Sequence, residues 1–153
     1  AAVAEHGLVF EALLLPHHLS ALAEIAQRHP DMPIIVNHAA KPMSEAMTGW
    51  DADIAAFATL RNVSCKLSGL TAQSGDPNIN LRIASRLIEV FGPGRLIWGS
   101  DHPVLLETCD YDSWLALTDR MLSDLDPSAR AGVEGGNAAR IYRLKQRGLN
   151  GTA

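Results

Sequence analysis

RLIWGSDHP, residues 95–103, is the stretch on which the reading of the chain turns. Leu96, Ile97 and Trp98 make an apolar run of strand length. Gly99-Ser100 end it, Asp101 and His102 follow, and Pro103 stops further strand pairing. A strand that ends abruptly on an ionisable group is how α/β enzymes bring chemistry to the carboxyl edge of a sheet. The same Asp101 would serve as a cap for a loop or for the next helix. The stretch alone leaves both readings open.

Working outward, three more strands are expected. LVFEALLL at 8–15 has strand length, though Leu and Ala leave it ambiguous with helix. PIIVNH at 33–38 is the clearest, with three β-branched residues followed by polar atoms, and NVSCKL at 62–67 is ended by Ser68-Gly69. Helical spacing fills the gaps between strands. Leu19, Leu22, Ala23 and Ala26 share one face, as do Ile83, Leu87 and Phe91 before a Gly92-Pro93 stop, and Trp114, Leu117, Met121 and Leu125 continue a third stripe. Residues 43–50 read as irregular, with Asp51 as the cap of a helix through Leu60. Residues 74–80 read as a loop. Asp126-Pro127 opens a short helix, Gly135-Gly136 breaks it, Asn137 caps a final helix, and the tail from Gly148 is expected to fray. The order βαβαβαβα, with strand starts near residues 8, 33, 62 and 95, has the period of a βα unit, about 30 residues. It predicts an α/β fold with a parallel sheet and right-handed crossovers.

Composition narrows the function classes. Of 153 residues, 47% are hydrophobic and 20% charged, which suits a folded domain with a substantial core. A net charge of −4 gives no support for a nucleic-acid or acidic-membrane partner, and no apolar run approaches membrane-spanning length. No secretory signal is visible, and two cysteines, Cys65 and Cys109, are too few for a disulfide framework or a Cys-based zinc site. A cytoplasmic setting is the default. No GxGxxG, P-loop, HExxH or GxSxG sequence is present.

Strand parity puts Ile34, Val36 and His38 on one side of their strand, and Ile97, Gly99 and Asp101 on one side of theirs. His38 and Asp101 each read as the last position of a strand, hence at one rim. A His and an Asp there suit a divalent metal, or a polarised carbonyl and an activated water; a strand-end His is also a common structural residue. Lys66 and Glu11, each inside a strand, must be solvent-facing or paired, because a buried unpaired charge is costly. Either both lie on an exposed edge, or Lys66 reaches the rim to hold a substrate oxygen. His17-His18 read as helix-entry residues, and Trp50, Trp98 and Trp114 as packing.

Five segments together resemble the amidohydrolase-2 (amidohydrolase-related) family, in its sugar-lactonase branch of fuconolactonase- and rhamnonolactonase-like enzymes. They are GLVFEALLLPHHL (7–19), PIIVNHAAKP (33–42), NVSCKLSGL (62–70), RLIWGSDHPV (95–104) and GGNAARIYRL (135–144). The resemblance implies the carboxyl-terminal half, strands five to eight, of a (β/α)8 TIM barrel with helices on one face of the sheet. It implies hydrolysis of a lactone of a sugar acid or a similar small carboxylated compound. Asp101 would be the general base, and a ligand in metal-dependent members. His38 matches the family histidine, as catalytic residue or metal ligand. Lys66 and Ser68 match a segment lining the pocket, with His102 as a further substrate contact. One divalent metal, zinc or manganese, belongs to some members, and others work without metal.

This chain reads HAAKP where the family usually has HLGKP, and His102 where Trp is frequent. The family's HxH pair at the end of a first strand is absent. The chain is therefore expected to be part of a longer protein, inactive without an N-terminal half as partner, and a homo-oligomer is compatible with it. Two other readings stand beside this one. The first is a metal-dependent decarboxylase of the same superfamily. The second is a non-enzymatic doubly wound binding module, which would carry helices on both sheet faces.

Overall fold

The computed structural model describes residues 2–42 and 47–144. A short helix α1 (Ala2–Glu5) precedes four strands: β1 (Phe10–Ala12), β2 (Ile34–Val36), β3 (Val63–Leu67) and β4 (Leu96–Trp98). Helices α2 (Leu19–Arg28), α3 (Met47–Ala58) and α4 (Pro77–Phe91) connect them in turn. After β4 come α5 (Tyr111–Met121), α6 (Pro127–Ala131) and α7 (Asn137–Ile141). All strand pairs are parallel and the spatial order is β1-β2-β3-β4, the order of the sequence. A parallel sheet whose order never reverses, with right-handed crossovers, carries its helices on one face. The doubly wound alternative, which needs a reversal, is thereby overturned.

Side-chain alternation confirms the two faces. Ala12, Ile34, Val36, Val63, Cys65, Leu67 and Leu96 belong to one hydrophobic core with Leu19, Leu22 and Ala26 of α2, Trp50, Ile54 and Phe57 of α3, Ile83, Ala84, Leu87 and Phe91 of α4, and Trp114 of α5. Each fully buried aliphatic side chain there contributes about 1.5–3 kcal/mol. The alternate positions, Glu11, Ile35, Ser64, Lys66 and Ile97, point to the opposite, inner face.

Several boundaries differ from the sequence expectation. The strands at 8–15 and 33–38 shorten to three residues each, because Pro16 and a left-handed run from His38 end the regular pairing. Helix α3 already starts at Met47, so Asp51 is no cap; it pairs with Arg86 across to α4. Residues 43–46 of the expected irregular stretch, and the tail from Gly148, lie outside the described residues. The expected loop at 74–80 gives way to helix at Pro77, with the Asp76 carboxylate accepting from the Asn78 N–H. Gly135-Gly136 do not break the chain's helical course but sit in a π-helical turn, Gly132–Gly136, that links α6 to α7. Asn137 begins α7 without capping it; its amide is used elsewhere. Asp126 does cap α6, accepting from the Ser128 and Ala129 N–H groups.

The amino ends of the strands are tied together by side-chain donors. The Asn62 amide donates to the carbonyls of Ala26, His29 and Met32 at 3.0–3.1 Å. Arg95 donates to Ala58, Leu60, Val90 and Phe91, and Asn137 to Pro93 and Leu96. These satisfy carbonyls that helix ends and strand entries leave without partners.

Candidate active site

The carboxyl ends of three strands converge. β2 runs into His38, β3 into Ser68 and Gly69, and β4 through Gly99 into Asp101. His38 Nδ1 lies 2.9 Å from Ser68 Oγ, and His38 Nε2 lies 3.5 Å from Asp101 Oδ1. The His38 and Asp101 side chains keep 20% and 15% of their surface, so both are largely enclosed yet reachable. Ser68 itself is buried.

Neither His38 nor Asp101 occupies the last position of its strand; β2 ends at Val36 and β4 at Trp98. Extrapolated parity would put His38 on the core-facing side with Ile34 and Val36, and Asp101 on the inner side with Ile97. The backbone cancels that difference. His38, Ala39, Ala40 and Lys41 all have φ between 52° and 59°, and Asp101 has φ 60°. A left-handed conformation costs a residue with a Cβ about 1–2 kcal/mol, so this run is held by its surroundings. The Trp50 indole N–H donates to the Ala39 carbonyl at 2.7 Å, and Ala39 and Ala40 are fully buried. On the other side, the Trp114 indole N–H donates to the Gly99 carbonyl at 3.1 Å. Trp50 and Trp114 are buried, as the packing reading expects. They also fasten the two loops that present the imidazole and the carboxylate, a role nothing in their local sequence signals.

Gly69 leaves the space in which the pair meets. Its φ is +64°, and a Cβ there would stand 2.6 Å from His38 Nδ1, 2.8 Å from His38 Cγ and 3.0 Å from Asp101 Oδ2. Gly99 allows a similar approach, since a Cβ there would be 3.3 Å from Ser68 Cβ.

Lys66 and Glu11 are partners. Lys66 lies on a central strand, and its Nζ is 2.6 Å from Glu11 Oε2 on the inner face. Asn37 Nδ2 and the Tyr142 hydroxyl also donate to the Glu11 carboxylate. Burial alone would raise the Glu11 carboxyl, but hydrogen bonds from Lys66, Tyr142 and Asn37 outweigh it and hold it below the usual carboxylate range. The Tyr142 phenol is pushed up, by burial first and then by Glu11. Lys66 is thus engaged below the rim rather than reaching over it. His102 is exposed at the rim, its backbone N–H donating to Ser100 Oγ. His17 and His18 form the turn that enters α2, as expected of helix-entry residues. Burial pushes the Cys65 thiol up to about 12, so it stays neutral and unreactive.

Among the described residues, no three His, Cys, Asp or Glu side chains gather into a metal-binding group. His38 and Asp101 nevertheless fit part of one. Their 3.5 Å separation is about the edge of a tetrahedron with metal–ligand bonds of roughly 2.0–2.2 Å, and a second partner on Nδ1 is how ligating imidazoles are oriented. No helix among the described residues is long and apolar enough to cross a membrane.

Comparison with known proteins agrees with this architecture. The amidohydrolase family model Amidohydro_2 matches residues 1–144. An L-fucono-1,5-lactonase of Burkholderia ambifaria is 41% identical over 152 residues, covering 94% of this chain and 52% of the relative. An L-fucono-1,5-lactonase of Burkholderia multivorans is 32% identical, covering 90% and 52%. A crystal structure of a Burkholderia multivorans amidohydrolase with bound zinc superposes with a TM-score of 0.89 at 30% identity, covering 94% of this chain and 55% of that one. The chain spans about half the length of the curated relatives it matches. Four parallel βα units with their helices on one face, matched over about half of these proteins' length, place the chain in the amidohydrolase family, as the carboxyl-terminal half of its (β/α)8 barrel.

Proposed function

We propose that residues 1–153 supply strands five to eight of a cytoplasmic lactonase that opens the cyclic ester of a sugar acid or a similar small carboxylated compound. The observation that carries this reading is the His38–Asp101 pair, 3.5 Å apart at the carboxyl rim with Ser68 on the far imidazole nitrogen. The fuconolactonase relatives support the substrate class. β1 and β4 each have an unpaired edge among the described residues. Exposed apolar residues flank both: Leu8, Leu13 and Leu15 near β1, and Val104, Leu106 and Tyr111 beyond β4. Such edges call for further strands, which the N-terminal half of the barrel provides.

In the complete site Asp101 takes a proton from water as the water oxygen attacks the lactone carbonyl carbon. The ring C–O bond then breaks, and the departing alkoxide receives that proton, leaving a hydroxy acid. His38, fixed by Ser68, presents Nε2 toward the developing oxyanion, and His102 at the rim holds a substrate oxygen, while Lys66 stays paired with Glu11 below it. Where a zinc or manganese ion is used, His38 and Asp101 would be among its ligands, and it would supply Lewis acidity to the same carbonyl.

The test is turnover of sugar-acid lactones by the chain joined to the N-terminal half of a fuconolactonase relative, with hydroxybenzoates as the competing substrates and with and without chelator. Lactone opening that Asp101→Asn abolishes without loss of fold is the expected result. Activity retained in that variant, or decarboxylation in place of ring opening, overturns the reading. The 153-residue chain alone is expected to show negligible turnover.

A further inference from the structure

The amino end of the half-barrel holds a second feature that the lactonase reading does not use. Arg61, Arg95, Arg140 and Arg143 line one cavity of about 340 Å³, with Ser64 of β3 and a single carboxylate, Asp31, in the same wall. Among the described residues none of these four guanidiniums forms a salt bridge; elsewhere Arg28, Arg86 and Arg130 do, and Arg82 and Arg120 do not. This concentration stands in a chain of net charge −4.

Helix C-termini account for part of it. The carbonyl ends of α2, α3 and α4 lie at this side of the sheet, each carrying roughly half a negative charge. Arg95 is committed to the carbonyls of α3 and α4, and its burial lowers its proton affinity. Arg140 bonds the Gly94 carbonyl and Asn137 Oδ1. Arg61 has no hydrogen-bond partner through its side chain among the described residues. Arg143 has one long contact, 3.5 Å to the Gly7 carbonyl. Three half-charges and Asp31 fall short of four guanidiniums. Among the described residues, Arg143 is also the one non-glycine with left-handed φ, 53°, away from the proposed catalytic rim.

We propose that this cavity binds a small multivalent oxyanion, one carrying two or more phosphate or carboxylate groups, at the end of the barrel opposite the catalytic pair. Guanidinium forks match such groups two bonds at a time, and the surplus positive charge is what a polyanion would neutralise. Arg61, Arg140 and Arg143 are the exposed contacts, and Arg95 forms the fixed floor. The site stands within this chain alone and does not depend on the lactonase assignment.

Calorimetric titration of the 153-residue chain with inorganic pyrophosphate and, separately, with citrate at matched ionic strength tests this. Saturable binding of either is expected, and the stronger of the two identifies phosphate or carboxylate as the source. Arg140→Gln with Arg143→Gln should weaken it at least about tenfold, while Arg28→Gln, on the α2 surface, leaves it unchanged. Asp31→Asn should tighten binding several-fold, a gain that misfolding does not produce. No saturable binding, equal losses in the Arg28 control, or weaker binding in Asp31→Asn each overturn the proposal. Loss of binding once the chain is joined to an N-terminal barrel half would do so too, because the cavity would then be a seam between halves.

Discussion

The two ends of the sheet are built on opposite rules. At the amino end, Asn62, Arg95 and Asn137 donate into carbonyls that would otherwise lack partners. At the carboxyl end, five residues with Cβ atoms sit in left-handed backbone, and an imidazole and a carboxylate are held together in a largely enclosed rim. One end lowers the free energy of the fold, and the other is strained and holds the pair proposed to carry the chemistry. Barrels divide stability and catalysis between their two faces in this way. The contrast teaches which substitutions should remove activity with little loss of fold, and which should do the reverse.

The sharpest test lies at the carboxyl end. Gly69→Ala would drive a methyl group into His38 and toward Asp101, at a residue whose φ is already +64°. In the complete enzyme kcat/KM should fall at least about 100-fold, close to 2.7 kcal/mol of transition-state stabilisation. Circular dichroism should show the fold retained. Activity within about threefold of the parent would mean that the His38–Asp101 approach is not what the site depends on.

The counterpart lies at the amino end. Asn137→Ala leaves the Pro93 and Leu96 carbonyls without their donor, both bonded at 2.8 Å. Stripping buried acceptors should cost about 2–4 kcal/mol, seen as a lowered urea midpoint, with turnover per folded molecule unchanged. A midpoint that does not move would erase the division between the two ends.

Between these lies Trp114, a core residue whose one polar atom serves the rim. Trp114→Phe keeps most of the packing and removes the bond to the Gly99 carbonyl. About 1–2 kcal/mol of stability should go, with a roughly tenfold loss of kcat as Asp101 loosens. Loss of stability with kcat intact would make this tryptophan a packing residue alone.

The parts of this division readable from sequence are those governed by local periodicity. The alternation in IIV and VSCKL, the four-residue spacing of Ile83, Leu87 and Phe91, and the Gly92-Pro93 stop place the strands and helices, because burial enforces those periods wherever a single face is covered. The sequential strand order follows from equal unit lengths and crossover handedness. What stayed hidden is set by distant contacts. Nothing in HAAK marks four successive left-handed residues, since what holds them is distant: the indole bond from Trp50 on the next helix and the full burial of Ala39 and Ala40. Parity arguments assume a strand that continues, so they could not show how His38 and Asp101 reach the same point. The partnership of Glu11 and Lys66 needed the register of three strands, and Asn137 looked like a helix cap because capping is the commoner local use of that side chain.

Glu11, on the inner face between the two ends, gives the smallest and most specific test. Its carboxylate on β1 receives Lys66 from β3 and Tyr142 from the segment after α7, on the inner face beneath the rim. Because its folded-state proton affinity is held below the ordinary value of 4.5, the ionised form is favoured by folding. The stability it contributes is fully present above pH 4.5 and is lost as pH falls through the lowered folded-state value. Glu11→Gln should therefore lower the urea midpoint at pH 6–7 only modestly, since the group is about a third exposed and solvent screens it. The gap between parent and variant should close as the pH is taken below 4.5. A gap that stays constant down to acid unfolding would show that the charge on Glu11 does nothing for the fold. The Lys66 and Tyr142 contacts would then be packing around a carboxylate that a glutamine replaces.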